Sequence, residues 1–123
     1  MNENDAFERG VAHFNAREFF EAHEVWEELW LRAPEPEKTF LQGIIQIAAA
    51  FHHHQRGNSS GAKSLLAAGL AKLERFPQSH RGIDVAALRA EAQAWVEALA
   101  EAKNTETERL PRMQRSPRQS SGS

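Results

Sequence analysis

The sequence predicts an all-α fold: a compact bundle of about five helices built from antiparallel helical hairpins, followed by a disordered C-terminal tail. Three observations point there. Alanine is abundant and β-branched residues are few, a composition that favours helix over strand. Apolar residues recur at the three- and four-residue spacing of a helix face, and no stretch alternates at period two. Gly, Pro and Asn punctuate the chain where one periodic segment gives way to the next.

The first helix is expected from about Asp5 to Phe14, with Asn4 or Asp5 as its N-cap. The second is expected from about Ala16 to Arg32, stopping before Pro34 and Pro36. The third should run from about Glu37 to Gln55 and end at Arg56-Gly57-Asn58, since Gly and Asn tolerate the left-handed backbone of a helix stop. A fourth should start near Ser59 or Ser60 and reach Phe76, just before Pro77, with Gly61 and Ala62 leaving room for a neighbouring helix. After a loop from Gln78 to Ile83, Asp84 should cap a fifth helix ending near Ala102, which reads as peripheral. Residues 1–103 are thus expected as one helical domain. From Asn104 to Ser123 the chain is rich in Thr, Arg, Ser and Pro, with too little apolar content to offset its ordering entropy.

Charge divides along the same line. Residues 1–108 carry a net −6 and residues 109–123 a net +4, from Arg109, Arg112, Arg115 and Arg118. An acidic body does not suit nucleic acid, so a nucleic-acid role for the basic tail is disfavoured. There is no Cys, which excludes disulfides, thiolate metal sites and a Cys nucleophile. The opening MNENDAFERG has acids where a signal peptide needs bases, and the longest apolar stretch, Ile44 to Phe51, is too short for a bilayer. A soluble, cytoplasmic protein is the expectation.

The second helix holds the chemistry. Phe19, Ala22, Trp26, Leu29, Trp30 and Ala33 share one face, and His23 falls inside that stripe. Glu27 lies one turn on at its edge, Glu24 lies further round beside Phe20, and Glu21 and Glu28 face away. A structural reading has Glu27 bracing His23 in the core through an i, i+4 hydrogen bond. A functional reading has His23 and Glu27, with Glu24 nearby, as a metal or substrate site. The string His23-Glu24-x-x-Glu27 departs from the zinc-protease pattern H-E-x-x-H at its last position, and the paired Glu-x-x-His motifs of di-metal bundles are missing. On the third helix Gln42, Gln46 and His53 form a polar stripe. The run His52-His53-His54 points in directions about 100° apart, so these rings cannot all serve one metal. Two donors on one helix make an incomplete site, and on that basis added metal is not expected to shift the melting temperature.

The string Phe20-Glu21-Ala22-His23-Glu24-Val25-Trp26-Glu27, then Trp30, then Leu41-Gln42-Gly43-Ile44-Ile45-Gln46-Ile47-Ala48-Ala49-Ala50, then Gly57-Asn58 and Gly61-Ala62, resembles the signature of domain-of-unknown-function family 309. The resemblance spans roughly residues 7 to 76. It implies a compact helical bundle and no activity, cofactor or partner. It also implies a candidate site, because Glu21, His23, Glu24, Glu27, Gln46 and His53 match the polar positions of that pattern. The reading that follows is a non-enzymatic module binding a protein or a small ligand between its hairpins. The alternative is a small metal-assisted hydrolase using His23, Glu24, Glu27 and His53.

Overall fold

A computed structural model describes residues 2–101 and 110–116. Helix α1 (Glu3–Asn15) is capped by Asn2, whose side chain accepts from Asp5 N at 2.8 Å. The cap lies ahead of the expected Asn4 or Asp5, and Asp5 instead sits in the first turn, where the helix dipole favours an acid. Helix α2 (Phe19–Arg32) begins later than expected, because Arg17 takes a left-handed φ of 68° and turns the chain before the helix can start. Its apolar face is the one the periodicity predicts: Phe19, Ala22, Trp26 and Leu29 are buried, with Trp30 packed beside them.

Gly10 on α1 is where the first hairpin closes tightly. A β-carbon there would stand 2.0 Å from Nε1 of Trp26, and that indole N–H already donates to the Phe7 carbonyl at 3.2 Å. The indole is wholly buried and cannot retreat. Gly10→Ala should therefore lower unfolding stability by about 1–3 kcal/mol or more, the usual cost of overpacking. A denaturant midpoint unchanged from wild type would show that α1 can move away.

Helix α3 (Glu37–Gln55) packs between α2 and α4 (Ser59–Leu73). Phe40, Leu41, Ile44, Ile45, Ile47, Ala48 and Phe51 are all buried on it, as the periodicity requires. Of the expected stop residues only Gly57 is left-handed, at φ 82°; Asn58 instead caps α4, accepting from Gly61 N at 3.0 Å. The close approach of α3 and α4 is made by Gly69 against Gly43, not by Gly61. A β-carbon on Gly69 would meet the Gly43 carbonyl oxygen at 2.7 Å.

The loop expected after α4 holds a two-residue hairpin. Strands β1 (Ser79–His80) and β2 (Ile83–Asp84) pair antiparallel around Arg81 and Gly82, which have φ of 53° and 76°. Two consecutive positive φ values are what a two-residue hairpin turn demands. Asp84 then caps α5 (Val85–Ala100), accepting from Ala87 N at 2.9 Å.

Two expectations are corrected here. Helix α5 is not peripheral: Val85, Leu88, Ala92 and Trp95 belong to the main core, and the Trp95 ring stands edge-on to Phe51 at 5.2 Å. A row of aromatic contacts therefore runs Phe14, Phe19, Phe51, Trp95, joining α1, α2, α3 and α5. The second correction concerns residues 110–116, expected as part of the disordered tail. They lie along the body, with Pro111 buried and Met113 only 3% exposed in the core. One methionine, one proline and a set of backbone hydrogen bonds suffice where composition suggested nothing to bury. The rest of the expected tail, 104–109 and 117–123, lies outside the described residues. Among the described residues no helix is long and apolar enough to cross a membrane.

Candidate functional site in the cleft between α2 and α3

His23 does not sit inside the core. The helix turns its ring to the margin of the apolar face, 24% exposed, on the side where Phe20 emerges. Phe20 is 47% exposed, an unusual place for a phenyl ring, and it stands between His23 and the third helix. Its centroid lies 6.1 Å from the His23 ring and 5.3 Å from the His52 ring. Phe20, His23, Ala49, His52 and His53 line a cleft of about 200 Å³. Two helices thus bring together imidazoles that stand 29 and 30 residues apart in the chain.

Two carboxylates flank His23 without lining the cleft. His23 Nε2 lies 3.5 Å from Glu27 Oε2, and His23 Nδ1 lies 4.0 Å from Glu24 Oε2. Neither is a tight hydrogen bond, and Nδ1 is buried without a hydrogen-bond partner. One donor atom each from His23, Glu24 and Glu27 can be chosen so that all three lie within 4.8 Å of one another. A brace in the core would have satisfied the ring; this arrangement leaves it under-satisfied beside two exposed carboxylates.

The three histidines at the end of α3 diverge as the 100° step requires. His52 faces Phe20 and the cleft. His53 also lines the cleft, but its Nδ1 lies 3.1 Å from the side-chain amide nitrogen of Asn58. An amide N–H must donate there, so the ring proton of His53 sits on Nε2 and the ring braces the α3–α4 turn. His54 leaves the site altogether and packs edge-on against Trp95 at 4.9 Å. Burial, then the charge of Arg56, then the neighbouring His53 and His23 rings hold the His52 pKa below its ordinary 6.5, against an opposing pull from Glu21.

That depression has a consequence for stability. The unfolded chain protonates His52 first, so the stability it confers is present above pH 6.5 and is lost as pH falls through 6.5 toward the folded value. Acid titration of unfolding free energy should fall less steeply below pH 6.5 in His52→Gln than in wild type. Parallel curves would mean the ring is free to charge in the fold.

Of the other residues singled out from sequence, Glu21 is exposed and acts on His52 only through its charge. Gln46 belongs elsewhere, accepting from Lys72 Nζ of α4 at 3.0 Å. Sequence reasoning misses two groups. His52 is visible only as one of a run, and nothing in the run singles it out until α2 is placed. Glu37, at the start of α3, receives both His80 and Arg81 of the hairpin. The His80 ring sits 4.5 Å from Phe40 and 5.0 Å from Phe76, and the Arg81 guanidinium covers Phe7 at 4.3 Å. These partners are 43 and 44 residues from Glu37, and no local spacing announces them.

The family model described as "Domain of unknown function (DUF309)" matches residues 7–65. That stretch belongs to DUF309. The matched stretch takes in every residue of the cleft and both carboxylates beside His23, while β1, β2, α5 and residues 110–116 lie beyond it. The chain is similar to the uncharacterised protein YpuF of Bacillus subtilis (strain 168), 39% identical over 76 residues, which is 60% of this chain and 42% of YpuF. It is also similar to an uncharacterised protein of Aquifex aeolicus (strain VF5), 32% identical over 78 residues, 63% of this chain and 23% of that protein. The chain spans less than half the length of these curated relatives. Their names assign no activity, and the family matched over residues 7–65 is itself described as a domain of unknown function.

Proposed function

We propose that this DUF309 protein is a ligand-binding helical module, and that its site is the α2–α3 cleft with a divalent cation held by His23, Glu24 and Glu27. One observation carries the reading: three donor atoms of suitable type lie within 4.8 Å of one another, and one of them belongs to His23, which lines a cleft together with Phe20 and two further imidazoles. A nitrogen and two carboxylate oxygens suit zinc, manganese or iron(II) and leave coordination positions open. His52, kept neutral near pH 7 by its surroundings, can offer a lone pair from the facing helix. Phe20 supplies an apolar surface for whatever occupies the rest of the cleft. The acidic body supports a cationic or metal-borne ligand over nucleic acid, and the lack of cysteine is compatible with the cytoplasm, where we place the protein.

Thermal melting of tag-free protein with added Zn²⁺ tests this. Wild type should show a saturable rise, corresponding to about 2.7 kcal/mol at a hundredfold excess over Kd. His23→Ala and Glu27→Ala should each abolish it while folding normally, since both side chains are partly exposed. A flat titration, or a rise that survives in both variants, sinks the proposal.

The open coordination positions favour one second reading, a metal-assisted hydrolase. Three protein ligands with a free position facing a cleft is the count of catalytic zinc sites, whose metal-bound water is the nucleophile. Zinc-dependent turnover of a simple ester or phosphoester, lost in His23→Ala, would establish that reading.

A further inference from the structure

Residues 110–116 are held as a bound peptide is held, on a face that shares no residue with the α2–α3 cleft. Recognition is mostly of backbone. The Asn15 side chain takes both polar groups of one residue: its Oδ1 accepts from Met113 N at 2.8 Å and its Nδ2 donates to Met113 O at 3.1 Å. Glu91 Oε1 accepts from Arg112 N at 3.0 Å. Asp84 N donates to Gln114 O at 2.7 Å, and Ser116 N donates to Gly82 O at 2.9 Å, so that Arg115 forms a bridge with Ile83 on the free edge of β2. Met113 fills an apolar hole, Pro111 is buried two residues before it, and the Arg115 guanidinium pairs with Glu8. Backbone pairing on a strand edge, apolar anchoring and one charge pair are the parts of strand-addition peptide recognition.

We propose that the groove between α1, β2 and α5 is a binding site for a linear segment, and that residues 110–116 are an exchangeable arm that a second copy of this chain can deliver to it. The second copy is the occupant to which the geometry commits. The groove is seen to hold this one sequence, and the contacts made in trans would be the same contacts. What separates the two arrangements is the covalent link alone. A short link presents the chain's own arm at an effective concentration on the order of millimolar, so self-occupation prevails when both arms fit equally. Where the chain's own arm is mispaired and another copy's arm is matched, the matched arm takes its place.

The Glu8–Arg115 pair allows this to be tested in the full chain. Glu8→Arg sets two positive charges against each other, and Arg115→Glu sets two negative ones, so in each variant the chain's own arm is mispaired. In a mixture of the two, each arm matches the other copy's groove. Size-exclusion with light scattering, at about 100 µM and thus below the tethered concentration, should show about tenfold more dimer in the mixture than in either variant alone. The double variant Glu8→Arg/Arg115→Glu restores the match within one chain and should return to monomer, which also shows that both substitutions are compatible with folding. As a second measurement, a labelled synthetic peptide of residues 110–116 bearing Arg115→Glu should bind the Glu8→Arg chain about tenfold more tightly than the unaltered peptide does. A mixture that stays monomeric, equal dimer in the mixture and the single variants, or peptides that bind indistinguishably would each overturn the proposal.

Discussion

Trp26→Ala should lower the free energy of unfolding by about 3–5 kcal/mol, the range for truncating a core tryptophan. The ring is fully buried, lies 6.2 Å from Phe7 and 6.0 Å from Phe14, and gives its N–H to the Phe7 carbonyl. Removal leaves a cavity between α1 and α2 and strips a buried carbonyl of a donor, and Gly10 opposite has no side chain with which to fill the space. The comparison with Trp95→Ala is instructive. A peripheral α5 would make Trp95 the milder loss, yet Trp95 is 2% exposed and seated against Phe51 and His54. Both substitutions are therefore expected to cost the same order. Urea unfolding of the two variants decides it. A Trp95→Ala loss below about 0.5 kcal/mol, the scale of an ordinary surface substitution, would return α5 to the periphery.

Ending the chain after Glu106 should also be costly. The deletion removes Met113 from the core, where burying such a side chain contributes about 1.5–3 kcal/mol. It also takes both backbone partners from Asn15 and uncovers Ile83, which is fully buried. A total near 2–4 kcal/mol corresponds to a fall in melting temperature on the order of 10 °C or more for a domain of this size. Composition alone points to the opposite expectation, a shift of a few degrees. Differential scanning calorimetry of the truncated and full-length chains separates them, and a shift under about 2 °C would mean that the arm adds contacts without stability.

The residue types of the cleft are legible in the chain itself. His23, Glu24 and Glu27 stand out because one helix brings i and i+4 together, a relation fixed by 3.6 residues per turn. His53 is legible too, on a stripe with Gln46 that the fold divides: Gln46 goes to Lys72, and His53 keeps one ring nitrogen on Asn58. His52, the imidazole facing Phe20, cannot be chosen from its run. The rotation of α3 against α2 decides that choice, and it depends on packing along the whole interface.

The sequence by itself determined what depends on neighbours a few positions apart. That covers the helices and their apolar faces, the stops at Gly57 and before Pro34, the cap at Asp84, and the divergence of the three consecutive histidines. Only the tertiary structure decided the rest: the seat of Trp26 over Gly10, the grip of Glu37 on His80 and Arg81, the meeting of His23 with His52, and the docking of Met113 on a body nearly 100 residues upstream at Asn15. The physical reason is range. Helix periodicity and capping are set by hydrogen bonds three or four residues long, which any short window contains. Contacts across the bundle form only after the faces have been buried, and the identity of a partner tens of residues away leaves no trace in local spacing.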